Sequence, residues 1–131
     1  MSPVGNFQVH TEVTVRVTGE RIASSNASFV DVSELPHDTL GFLLPSRYCE
    51  SNRFGKMATE IVAGQALGYA QVIAITDWVR SAIRNTPLSS TYPVSAVEIN
   101  RRRVCVCRDL AHIGIALRCA IQPLWAFAVA K

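Results

Sequence analysis

The segment Val104-Cys105-Val106-Cys107-Arg108-Asp109-Leu110-Ala111-His112 opens an apolar helix with a cysteine in its first turn. The helix reads from Cys107 to about Ala120. Leu110, Ile113 and Leu117, with the small residues Ala111, Gly114, Ala116 and Ala120, make it apolar on most faces, as befits a central buried helix. A cysteine at such a position has a physical advantage as a nucleophile. The unpaired amides and positive end of the helix dipole favour the thiolate, and the cysteine's own N–H can face a developing oxyanion. The plainer reading of Cys107 is a small core residue, the usual fate of a free cysteine.

Working outward, Pro123 ends this helix, and Leu124, Trp125, Phe127 and Val129 read as a buried strand. Upstream, Val72, Ile75, Val79 and Ile83 recur every three to four residues and predict a helix from about Tyr69 to Asn85. An earlier helix, capped by Ser51 or Asn52 and running to about Gly64, turns Phe54, Met57, Ala58 and Ile61 inward. Pro87 to Pro93 is a loop, and Val94 to Asn100 a short helical turn. Near the start, Val9, Thr11, Val13, Val15 and Val17 alternate with polar residues, the period of a half-buried strand. Phe29 to Val32 reads as a second strand. Helices in the middle with strands outside give an α+β layout. Residues 1–39 form a β-rich segment and 40–131 a helical core.

The 131 residues, 49% hydrophobic and 18% charged, suit one domain and exclude a disordered chain. The net charge of +3 is too small to argue for a nucleic-acid binder, which usually shows a dense basic stripe, so no nucleic-acid partner is expected. The only basic run is Arg101-Arg102-Arg103, read as a solvated loop rather than a holder of acidic groups beside the thiol. Four cysteines are too sparse for a disulfide scaffold. Residues 1–19 lack a basic start followed by an apolar core, so the default compartment is the reducing cytoplasm. Ile113 to Ala130 has the length of a membrane span. A central Arg118 would cost about 2.5–3.5 kcal/mol there, so a buried helix and strand explain it better.

Cys107-Arg108-Asp109-Leu110-Ala111-His112 resembles the cysteine motif of the bacterial transglutaminase-like family, within the papain-like cysteine-protease superfamily. Leu44-Pro45-Ser46-Arg47-Tyr48-Cys49-Glu50-Ser51 with Arg53-Phe54 resembles that family's entry into its first helix. Ile75-Thr76-Asp77-Trp78-Val79 through Ile83-Arg84 resembles the helix before the cysteine loop. The resemblance covers about Leu40 to Leu117. It implies a papain-like core and a thioester-forming reaction on a peptide or amide, with Cys107 as nucleophile and no cofactor. The family's histidine and aspartate lie on strands downstream, and only 24 residues follow Cys107. The resemblance therefore implies a truncated member, incomplete at its C-terminal sheet and inactive as an isolated chain. The competing class is a non-catalytic remnant or interaction module that forms a homo-oligomer or borrows strands from a partner.

Two positions depart from the family pattern. Cys105 stands where glycine is usual, and the helix exit from Leu117 to Trp125 differs. His112 lies five residues beyond Cys107, a rotation of about 140°, and reads as a hydrogen-bonded structural histidine. His10 and His37 fall in the strand and the connector. Cys105, Cys107, His112 and Cys119 invite a metal, but Cys107 and Cys119 lie about 18 Å apart along one helix, too far to share an ion. No metal is expected.

Overall fold

In the computed structural model, residues 5, 6, 8–16, 27 and 29–121 are described. The axis is the helix Cys107–Ile121, whose side chains at Ile113, Ala116 and Leu117 are wholly buried. The elements run in the order α1 (Gly55–Ile61), α2 (Tyr69–Ala82), β1 (Arg84–Asn85), α3 (Ala96–Arg102), β2 (Val104–Cys105) and α4 (Cys107–Ile121). Among the described residues, the 3-10 segments Val32–Glu34, His37–Leu43 and Ser51–Arg53 precede α1. α1, α2 and α3 all pack on α4. The core joins Phe54 and Ala58, Ile75 and Val79, Ile99, and the inner face of α4. The expected α+β class, with central helices against short strands, is the observed one.

Each inward face follows the sequence pattern. Phe54 and Ala58 are buried, with Met57 and Ile61 packed against the same core. Ile75, Val79 and Ile83 form the buried stripe of α2. The helix does not run to Asn85 as its periodicity suggests. Ile83 turns extended at φ −119°, ψ 122°, and Arg84 and Asn85 pair in parallel with Val104 and Cys105. Pro87 disfavours helical geometry at Thr86, and β-branched Ile83 enters an extended conformation easily. Ile83 is buried in this extended conformation, so burial does not oppose the early exit.

The start of α3 is bound to the 48–50 segment. Tyr48 O accepts from the Ala96 N–H at 2.8 Å, a Glu50 carboxylate oxygen from Val97 N–H at 3.2 Å, and Ser95 Oγ from Glu98 N–H at 3.5 Å. Three first-turn amides that a helix cannot satisfy internally thus find acceptors. Ser51, expected to cap the first helix, is instead buried at the head of the 3-10 segment, and α1 begins after Phe54 without a side-chain cap.

The expected early strands differ more. Residues 8–16 have no regular secondary structure, and Val9, Val13 and Val15 are about three-quarters exposed. Alternation specifies a strand only where a partner edge and an apolar face receive it, and residues 8–16 pair with no strand among the described residues. At the expected second strand, Asp31 accepts from Ser33 N–H at 2.9 Å and Ser33 Oγ at 2.6 Å. This local capping draws Val32–Glu34 into a 3-10 turn instead. Val17 and the expected strand at Leu124 to Val129 lie outside the described residues. No helix among the described residues is long and apolar enough to cross a membrane.

If α4 is the axis, Ile113→Ala should cost about 2–5 kcal/mol in urea denaturation, whereas half-exposed Ile115→Ala should cost about 0.5 kcal/mol. Equal losses at the two positions would contradict this packing.

Candidate active site

β2 delivers the chain to α4 with alternating exposure. Cys105 is buried at the end of β2, Cys107 is exposed as the first residue of α4, and Asp109 is buried again. The Val106 carbonyl accepts from Asp109 N–H at 3.0 Å and Leu110 N–H at 3.2 Å, closing the first turn. The amides of Cys107 and Arg108 precede the first residue that can bond back within the helix. A 15-residue helix therefore presents its positive end at an exposed thiol.

Asp109 fixes what surrounds that thiol. Its carboxylate, 0% exposed, accepts from Ser90 Oγ at 2.8 Å, Arg108 Nε at 3.0 Å and, at a long 3.4 Å, Val94 N–H. Burial works to raise its pKa. The bonds from Ser90, Arg108 and Val94, together with the Arg108 charge, outweigh that effect and hold the group below the usual carboxylate value of 3.8.

His112, one turn on, completes a clamp. Its Nδ1 lies 3.0 Å from Val94 O, so that nitrogen donates to the carbonyl, and its ring stacks on Tyr48 at 5.3 Å. Asp109 Oδ1 is 3.8 Å from the same nitrogen, too far for a hydrogen bond. Val94 is thus held through its N–H by Asp109 and through its C=O by His112. The structural role read for His112 matches this geometry.

The remaining cysteines are differently placed. Burial first, then the neighbouring Asp109 and Cys107, push the Cys105 thiol upward, which keeps it protonated. Burial does the same to Cys119, with Cys49 adding and Arg118 opposing. Cys119 Sγ lies 3.7 Å from Phe42 O. Cys49 is half-buried. His10 and His37 are both exposed, and no histidine is bonded to Cys107 among the described residues. No group of three or more His, Cys, Asp and Glu side chains there is placed to hold a metal. The Asp109 tether went unread in the sequence, although an acid two residues after the cysteine on a mostly apolar helix was its signal.

This arrangement has a counterpart of known structure. A crystal structure named "Putative Cysteine Protease from Cytophaga hutchinsonii" superposes with a TM-score of 0.68 at 38% sequence identity. The chain has a cysteine-protease-like fold. The match covers 72% of this chain and 33% of the other, so the chain spans about a third of that protein's length. No family model and no curated protein matches it.

The Asp109 tether also sets a pH dependence. Because its folded pKa is depressed, its stabilisation is complete above 3.8 and is lost as pH falls below that value through the folded one. Asp109→Asn should lose about 1–3 kcal/mol at pH 7, and urea denaturation should show the gap from wild type closing as pH falls below 3.8. A gap that stays constant down to pH 2 would refute the tether.

Proposed function

We propose that Cys107 is the nucleophile of a cysteine acyl-transfer site acting on peptide or amide carbonyls. The supporting observation is that the thiol at the N-terminus of α4 is exposed, in a chain similar in fold and sequence to a structure named "Putative Cysteine Protease". The motif running from Cys107 to His112 adds the transglutaminase-like reading, in which an amine as well as water can take the acyl group.

In this reaction the thiolate sulfur bonds to the carbonyl carbon and the electron pair moves to oxygen. First-turn amides face the oxyanion. The C–N bond then breaks, the amine leaves with a proton, and a thioester remains for water or a second amine to attack. The proton transfers call for a base. Among the described residues no histidine is bonded to Cys107, so no base for these transfers is in place there. Acylation by a reactive ester, whose leaving group needs no proton, is therefore the step expected of this chain, with slow release afterwards.

Treatment with p-nitrophenyl acetate should place one acetyl group on Cys107, located by peptide mass mapping and removed by hydroxylamine. Cys107→Ser should abolish it. Acetylation of Cys49 at the same rate would count against a dedicated nucleophile.

A second reading, a self-associating module, draws on the groove between α2 and α4. This cavity of about 590 Å³ is lined by Val72, Ile75 and Val79 and, opposite, by Leu110, Gly114 and Ile115. Burying that surface against a second copy would remove apolar area from water. Light scattering should then report a dimer that Ile115→Glu dissociates. A wild-type monomer at high concentration would rule this reading out.

A further inference from the structure

The basic run is built into the fold. Arg101 and Arg102 end α3 and both bind Glu98, Arg101 through two bonds of 2.9 and 2.6 Å. Arg103 follows in the left-handed conformation at φ 59°, its N–H closing the helix on Ile99 O at 2.9 Å. Its guanidinium lies 5.2 Å from the centre of the Trp78 ring, a cation–π contact that fixes where the charge sits. This turn sets Arg102 and Arg103 across from Arg80, at the end of α2, and Arg84, in β1. The four arginines line one shallow cavity of about 500 Å³. Among the described residues no carboxylate lines it, and Ser81, its other polar side chain, already donates to Trp78 O at 3.0 Å.

The charge balance there is uneven. Helix C-termini attract arginine, and the ends of α2 and α3 together supply about one negative charge. Glu98 supplies a second. Asp77, one turn before Arg80, is a third, although no ion pair joins it to these arginines among the described residues. Against these stand the guanidinium groups of Arg80, Arg84, Arg101, Arg102 and Arg103, all permanently charged. Among the described residues about two positive charges remain in excess.

We propose that this cavity binds a phosphoryl group, carried either by free phosphate or by a phosphorylated side chain. Arg80 from α2, Arg84 from β1, Arg102 from α3 and Arg103 just beyond α3 all line the cavity. A tetrahedral dianion offers acceptor oxygens in more than one plane, whereas a single carboxylate serves one fork. Its charge also matches the local excess. Arg103 precedes β2 and Cys107 follows it, so the cavity lies at the opposite end of that strand from the thiol.

The test is an NMR titration of the full isotope-labelled chain with inorganic phosphate and, separately, a phosphoserine peptide, at ionic strength held constant with sodium chloride. Saturable shifts of the Arg80, Arg84 and Arg103 Nε–H signals are expected. Arg80→Gln combined with Arg84→Gln should weaken binding at least tenfold while core amide signals stay in place, and Lys56→Gln on exposed α1 should change nothing. Arg103 is left intact to preserve the turn and the Trp78 contact. Tighter binding of the peptide would assign the source to a phosphorylated protein, and equal binding would show that the free anion suffices; both support the site. Shifts that never saturate, that chloride reproduces, or that survive in the double variant would overturn it.

Discussion

A carboxylate with no exposed surface has to be answered by hydrogen bonds, and Asp109 takes them from Ser90 and Val94, far back along the chain, as well as from its neighbour Arg108. Because Asp109 sits in the first turn of α4, the same bonds fix the 86–95 loop beside Cys107. His112 repeats the hold on Val94 from one turn further. α3 begins two residues after Val94, and its first amides are taken up by Tyr48, Glu50 and Ser95. The loop, α3 and the head of α4 are therefore one connected polar structure laid over an apolar core.

That core was largely legible in the sequence, because the stripes of α1, α2 and α4 repeat at the helical period and their apolar faces are the buried ones. The position of Cys107 at a helix start was legible for the same reason. What the sequence concealed were features set by partners. The two-residue strands carry no alternation to detect; Arg84 and Asn85 pair only because Val104 and Cys105 pass beside them. Conversely, Val9, Val13 and Val15 carry perfect alternation and stand exposed. Side chains that bridge distant segments, Glu50 to Val97 and Ser90 to Asp109, leave no mark on local periodicity at all.

The chemistry divides along the same line. A thiol at a helix N-terminus is a local arrangement, complete once α4 forms. A general base is a tertiary arrangement, and the chain spans about a third of the length of the Cytophaga hutchinsonii structure it resembles. Within the described residues His112 donates its Nδ1 proton to Val94 O and so holds the loop, and it is not bonded to Cys107.

The parallel ladder of β1 and β2 has a further consequence for chain entropy. Closing the roughly 20 residues between Arg84 and Val104 costs on the order of 3 kcal/mol. A ladder of two residues returns a few hydrogen bonds worth about 1 kcal/mol each, barely enough to stay closed. The excursion is held instead by Ile99 in the core and by the Asp109 and His112 anchors on α4. The setting of Cys107 is therefore a property of the assembled domain, and a peptide cut from residues 104–112 would keep the thiol and lose its surroundings.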